Sequence, residues 1–370
     1  MEYININSVK AEFTTPKNIR QELLAKFDKI TPDDYVITTD NLELLRGADL
    51  IEAARKKGDS LLPLRRASYI KETGDFPKRV ILEVTSICNS DCSMCPRKAL
   101  VRKRQHMDTD LCKKIIRVLS ETGISGLWLM NLGEPLLHPD FFDIVDFCRS
   151  VGNLGPLWAS TNGKIFNTEM QDKMLQRPVD FFNLSVNAMS KESYKKISPD
   201  LDFYETQNHF RAFIRRKREL NCSKPIVRAQ MIEIPHVLDE FNAFRKEFGP
   251  LVDILAFNKL EKFSQDVEGN NIDGKLVTNT VIERCNRLER QDFIIFSDGS
   301  ITCCDTDFNG RLVIGNLREN SMREIVNGDK YQRIMQQYRQ GRLHENALCS
   351  RCRDYTPANY RTRPAWPRTP

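Results

Sequence analysis

Six apolar runs punctuate the stretch from residue 79 to residue 260: RVILEVTS, GLWLMNLGE, PLWASTNG, DFFNLSVNA, PIVRAQMIEI and VDILAFNKL. Each has the length and composition of a buried strand. Helical stretches alternate with them, among them DLCKKIIRVLSETG, HPDFFDIVDFCRSVG, EMQDKMLQR, FRAFIRRKREL and LDEFNAFRKEFG. Asn167 and Ser190 stand where N-caps belong, and Pro139 lies near a first turn. Such alternation commits the chain to a parallel sheet, open or curled into a partial barrel. In either form the loops that carry chemistry gather at the C-terminal ends of the strands.

The flanks differ in character. Residues 1–77 show helical periodicity in NIRQELLAKF and NLELLRGADLIEAARKKG and hold no cysteine, which predicts a small helical extension. The strand–helix alternation predicts a core over 78–275. From residue 276 the pattern becomes hairpin-like in FIIFSDGSITCCD, with an Asp-Gly turn. A helix is expected over SMREIVNGDKYQRIMQQYRQG, then a cysteine-rich end to residue 356. The tail 357–370, rich in Pro and Arg, is expected to be extended or disordered.

A chain of 370 residues can bury two or three cores without disulfides. No apolar run approaches the length of a membrane span, and the N-terminus MEYININSVKAEF lacks the order of a secretory signal. A cytoplasmic setting follows as the expectation, with no membrane partner. Eleven cysteines in a reducing compartment point to metal ligation or thiol chemistry. The net charge of +6 is spread over scattered basic clusters interrupted by 50 acidic residues. That suits a solvated surface or an anionic substrate better than a nucleic-acid groove.

CNSDCSMCPR places Cys88, Cys92 and Cys95 within eight positions, at the end of the first strand-like run. Three thiolates in C-x3-C-x2-C spacing can wrap one metal centre. Structural zinc takes four protein ligands, whereas a cubic [4Fe–4S] cluster held by three leaves one iron open to chemistry. Zinc, or cysteines packed in a core, are the alternatives on spacing alone.

The longer stretch ILEVTSICNSDCSMCPR resembles the signature of radical S-adenosylmethionine (SAM) enzymes. The resemblance implies a cluster whose open iron chelates the amino and carboxylate groups of SAM. NLGEP (131–135) is similar to the family's Gly-Gly-Glu segment, with Leu132 in place of the first glycine. It implies that Gly133 and Glu134 accept from the methionine ammonium; the plain alternative is an exposed acid at a strand end. STNG and LSVNA resemble the strand ends that touch ribose and methionine, which implies roles for Ser160, Asn162, Ser185 and Asn187. Asn187 stands where many relatives have Asp, so no proton transfer is assigned to it. Met94 occupies the position of an apolar residue beside the adenine, although an isolated Met is more often core packing.

Cys285, the pair Cys303-Cys304, and Cys349 with Cys352 form a second constellation. DGSITCC, IGNL and LCSRC together resemble the SPASM/Twitch extension of radical SAM enzymes. Five cysteines cannot fill two four-ligand sites, so the resemblance implies one auxiliary [4Fe–4S] cluster. Cys285, Cys349 and Cys352 are three of its ligands. For the fourth, the spacing from Gly299 favours Cys304, while the span from Cys285 fits Cys303. Structural zinc on the same thiolates is the alternative. Cys112 and Cys148 sit in apolar-periodic helices and read as core residues. One of these two, or Cys222, could instead donate a hydrogen atom in an epimerase.

The fold expected is a partial (β/α)6 TIM-like radical SAM barrel with an N-terminal helical extension and a C-terminal SPASM/Twitch domain. The activity implied is hydrogen abstraction by a 5′-deoxyadenosyl radical, for oxidation or epimerisation of a sugar or aminocyclitol. A flavodoxin- or ferredoxin-type protein would supply the electron. Two alternatives stand beside it: modification of a ribosomally made precursor peptide, and a non-catalytic iron–sulfur or zinc protein that binds nucleic acid.

Overall fold

The computed structural model describes residues 79–260, 285–289 and 291–352, together with two short strands upstream. Those strands, β1 (Tyr35–Ile37) and β2 (Leu44–Arg46), pair antiparallel. Leu44–Arg46 falls inside a segment whose periodicity predicted a helix, so that expectation fails there. A partner strand of Tyr, Val and Ile, all strand-favouring residues, outweighs a short helical pattern. The rest of the expected N-terminal extension, the 275/276 boundary and the tail lie outside the described residues.

The six apolar runs form β3 (Arg79–Leu82), β4 (Gly126–Trp128), β5 (Leu157–Thr161), β6 (Phe181–Ser185), β7 (Ile226–Glu233) and β8 (Ile254–Lys259). Each pairs parallel with the next. Between them run α1 (Thr109–Thr122), α2 (Phe141–Val151), α3 (Thr168–Gln176), α4 (Lys191–Ile197), α5 (Phe203–Glu219) and α6 (Phe241–Phe248). The Asn167 side chain accepts from the Met170 N–H at the start of α3, and Ser190 accepts from the Ser193 N–H at the start of α4. Both are the N-caps expected.

From β3 to β8 the strand order never reverses, so right-handed crossovers leave the helices on one face. Alternate strand residues serve the two faces. Val80, Leu82, Leu127 and Leu157 point to the helices and pack in one core with Ile115 and Ile116 of α1. The other, inner face carries a base of stacked rings. Trp128 and Trp158 lie 5.5 Å apart, Trp158 and Phe181 4.1 Å apart, and Ile226 packs beside them.

The C-terminal part joins the same sheet. It comprises α7 (Asn286–Glu289), β9 (Asp292–Ile295), β10 (Ser300–Thr302), β11 (Val313–Asn316), α8 (Met322–Asn327) and α9 (Asp329–Arg339). β9 runs parallel to β3, and the β9–β10–β11 meander extends the sheet to nine strands. The Asp-Gly turn is as expected: Gly299 has φ +89°, open to glycine without strain, and Asp298 accepts from the Ser300 N–H at 2.9 Å. The single helix expected over 321–341 is two. Gly328, at φ −71° and ψ 149°, leaves helical geometry and becomes the N-cap of α9. Glycine costs a helix interior about 1 kcal/mol against alanine, so the break falls where the helix is weakest.

Candidate active site

The loop after β3 is held by backbone as much as by side chains. The buried Arg97 donates to the carbonyls of Ser86 at 3.1 Å and Cys88 at 3.4 Å, and to Asp91 at 3.2 Å. Cys88, Cys92 and Cys95 all lie in the stretch this guanidinium organises. Burial pushes the Cys88 thiol up to about 11, with the Glu134 charge adding to it, and pushes Cys95 up to about 12. A thiolate is disfavoured in such a place unless a cation sits among the sulfurs.

The loop after β4 packs directly on the cysteine loop. A Cβ on Gly133 would stand 2.1 Å from the Thr85 carbonyl oxygen and 2.9 Å from that of Ile87, so only glycine permits this approach. The Glu134 N–H donates to the Ile87 carbonyl at 2.9 Å. Its carboxylate, 2% exposed, accepts from the Asn162 N–H at 2.7 Å and the Leu136 N–H at 3.3 Å. Burial raises that carboxyl to about 7, against hydrogen bonds from Asn162, Thr161 and Leu136 that pull it down. Glu134 is therefore an internal brace between the ends of β4 and β5, not an exposed acid.

Asn162 continues the brace. Its Nδ2 donates to Asn89 at 2.7 Å and lies 3.7 Å from the Cys88 sulfur. Lys164 reaches the Asn89 carbonyl at 3.1 Å. Ser160 and Ser185 meet at 3.4 Å on the inner face, above the stacked rings. Asn187, at the end of β6, has φ +60°, a conformation Asn tolerates, and its buried Oδ1 has no hydrogen-bond partner. Met94 is buried in the main apolar core, where its surroundings are those of a packing side chain.

Beside Ser160 lies a residue the sequence reading missed. Arg228 of β7 is 4% exposed and donates to Asn183 at 2.7 Å, Gln230 at 2.6 Å and Asn258 at 3.0 Å. All three acceptors are neutral amides, and its Nε has no partner. Burial pulls the guanidinium down to about 9. Asn183 also donates to Ser160 at 3.0 Å, so one polar layer crosses the inner face from β5 to β8. A buried Arg inside an apolar run is the only signal the sequence offered.

Cys285, Cys303, Cys304, Cys349 and Cys352 line one cavity walled by Leu288, Leu312 and Ile334. Cys303 belongs to the apolar core against which Cys285, Cys349 and Cys352 pack. Cys304 instead lies 3.1 Å from the Thr306 hydroxyl, with the Arg287–Asp305 ion pair beside it. Among the described residues no three His, Cys, Asp or Glu side chains converge as a lone metal ion requires. A cubic cluster asks for several thiols around one volume, and all five line the same cavity.

Comparison with known proteins agrees with this geometry. The Radical SAM superfamily model matches residues 82–223, and a model described as an iron–sulfur cluster-binding domain, SPASM, matches residues 285–353. The chain carries a radical SAM domain followed by a SPASM domain. A GTP 3′,8-cyclase of Chlorobaculum tepidum is 27% identical over 119 residues, 32% of this chain and only 36% of the cyclase. An S-adenosyl-L-methionine-dependent 2-deoxy-scyllo-inosamine dehydrogenase of Niallia circulans is 21% identical over 274 residues, 73% of this chain and 90% of that protein. The structure of anSMEcpe with bound AdoMet superimposes with a TM-score of 0.55 at 17% identity, over 75% of this chain and 90% of that one, a likeness of fold.

The radical SAM domain implies a [4Fe–4S] cluster with S-adenosylmethionine, and the SPASM domain implies auxiliary iron–sulfur. The donor sets suit both, since soft thiolates select iron–sulfur centres. An unpartnered acceptor on Asn187 and an unpartnered donor on Arg228 suit a polar, zwitterionic cofactor. No helix among the described residues is long and apolar enough to cross a membrane.

Proposed function

We propose that this radical SAM enzyme oxidises a carbinol of a small polyhydroxylated substrate, a sugar or aminocyclitol. When bound, the cluster and S-adenosylmethionine supply a 5′-deoxyadenosyl radical that can take hydrogen from an unactivated C–H bond. Cys88, Cys92 and Cys95 would hold that cluster. The Gly133 backbone carbonyl would accept from the methionine ammonium, and Arg228 would meet the methionine carboxylate with its unpartnered Nε. Ser160, Ser185 and Asn187 would face the ribose and methionine from the ends of β5 and β6. The stacked rings of Trp128, Trp158 and Phe181 close the base of the inner face and keep water from entering there.

One observation carries the oxidative reading: all five C-terminal cysteines line a single cavity, enough for one centre closed by four thiolates. Such a centre has no open corner for substrate, which leaves electron exchange as its use. Cys285, Cys349 and Cys352 would be joined by Cys303, which shares their apolar packing, rather than by Cys304, which spacing from Gly299 favoured. Cys112 and Cys148 lie in the core on the helix side of the sheet, so neither is placed to return a hydrogen atom from the inner face as an epimerase would need. The inosamine dehydrogenase named above supports the substrate class.

The test is anaerobic reconstitution, then reduction with S-adenosylmethionine and a panel of aminocyclitols and sugars deuterated at each carbinol carbon. Deuterium in 5′-deoxyadenosine together with a ketone product is expected. Turnover only with a precursor peptide would replace the substrate class, and absence of S-adenosylmethionine cleavage would remove the enzymatic reading.

A further inference from the structure

The cysteine loop is strapped from outside by the segment that follows α4. The Ser93 N–H donates to the Ile197 carbonyl at 2.7 Å, and the Asp91 N–H donates to Asp200 at 2.9 Å. Between these two bonds the Ser198 hydroxyl lies 3.2 Å from the Cys92 sulfur. A second hydroxyl, Ser90, reaches the same sulfur at 3.2 Å from within the loop. Ser198 is 0% exposed and Ser90 4% exposed, so neither hydroxyl has bulk water as a ready substitute.

We propose that Ser198 and Ser90 are positioning residues that set the reduction potential of the three-cysteine cluster by donating hydrogen bonds to Cys92. The proposal rests on the reading that Cys88, Cys92 and Cys95 hold that cluster. A ligating sulfur has lone pairs enough to accept from both hydroxyls at once. Reduction adds one electron, and part of that negative charge resides on the sulfurs. Two fixed donors stabilise the reduced state more than the oxidised one and raise the potential. Burial strengthens the effect, because no solvent dipoles screen the hydroxyls. Ser198 comes from 106 positions along the chain, so the fold itself supplies this donor to the loop.

The experiment compares the full chain with its Ser198→Ala, Ser90→Ala, double and Ser198→Thr variants, each reconstituted anaerobically. Iron and sulfide content is measured first, then the midpoint potential by EPR-monitored titration without S-adenosylmethionine. The signal followed is the one whose g-values shift when S-adenosylmethionine is added. Both alanine variants are expected to have more negative midpoints with unchanged iron, the double variant a larger shift, and Ser198→Thr a midpoint near wild type. Unchanged midpoints in the alanine variants would overturn the proposal, as would a threonine variant shifted as far as the alanine one. If Ser198→Ala fails to assemble the cluster, Ser90→Ala decides on the same criterion. A wild-type chain with no S-adenosylmethionine-sensitive signal would count against the cluster itself, a failure distinct from this one.

Discussion

Arg102 faces Glu83 through two parallel bonds of 2.9 Å, with the carboxylate fully buried at the end of β3. Glu83 also accepts from Asn131 at 2.7 Å and from the Ser297 N–H at 3.1 Å. Arg102 donates to the Phe308 carbonyl at 2.7 Å and lies 3.8 Å from the centre of the Phe296 ring. One ion pair thus ties the loops after β3, β4 and β9. Removing either partner strands a buried charge, at a cost of about 3–5 kcal/mol. Arg102→Ala should lower the denaturant midpoint accordingly, and the double change with Glu83→Gln should cost less than the sum. Additive losses would show that the pair acts as two separate groups.

Glu134 gives a pH dependence of definite sign. Its carboxyl is raised by burial from 4.5 to about 7, so between those values the folded chain keeps a proton that the unfolded chain has released. Its contribution to stability is full below pH 4.5 and is lost as the pH rises through 7. The stability of wild type relative to Glu134→Gln should fall by on the order of 3 kcal/mol across that window. Urea midpoints at pH 5.5, 6.5 and 8 measure the difference, and a constant gap would contradict the burial argument.

Cys303 and Cys304 should separate by iron content. Cys303→Ser should bring the reconstituted chain from about eight irons toward about four, while Cys304→Ser should keep both clusters. The reverse pattern would return the fourth ligand to the position that spacing alone favours.

Arg228 should matter to cofactor binding more than to folding. Arg228→Gln retains much of the amide layer but removes the charge, and a lost charge-assisted bond is worth about 1.5–3 kcal/mol, or roughly 10–100-fold in affinity. Equilibrium binding of S-adenosylmethionine to the reconstituted protein reads this directly. Unchanged affinity would assign the guanidinium to the substrate or to structure.

The six strands were legible because their apolar runs are long and cleanly bounded, and the turn at Asp298-Gly299 because its chemistry is local. Asn167 and Ser190 were legible as caps for the same reason. Glu83 and Arg228 were not. Each is a single polar letter inside a strand run, and its partners lie up to 214 positions away, as Ser297 does from Glu83. The break at Gly328 was hidden by apolar periodicity that continues on both sides of it. Between Cys303 and Cys304 spacing was ambiguous by one residue, which only packing can resolve.

The parallel seam between β3 and β9 has one more consequence. It makes the C-terminal portion a continuation of the barrel wall and not a pendant body, since β9 occupies the hydrogen-bonding edge of the strand that leads into Cys88. Cutting the chain between the two portions would expose backbone edges on both fragments, an invitation to aggregation. The spacing between the two cysteine-bearing loops is fixed by sheet geometry, so an electron passing between them would cross a distance that no hinge can vary.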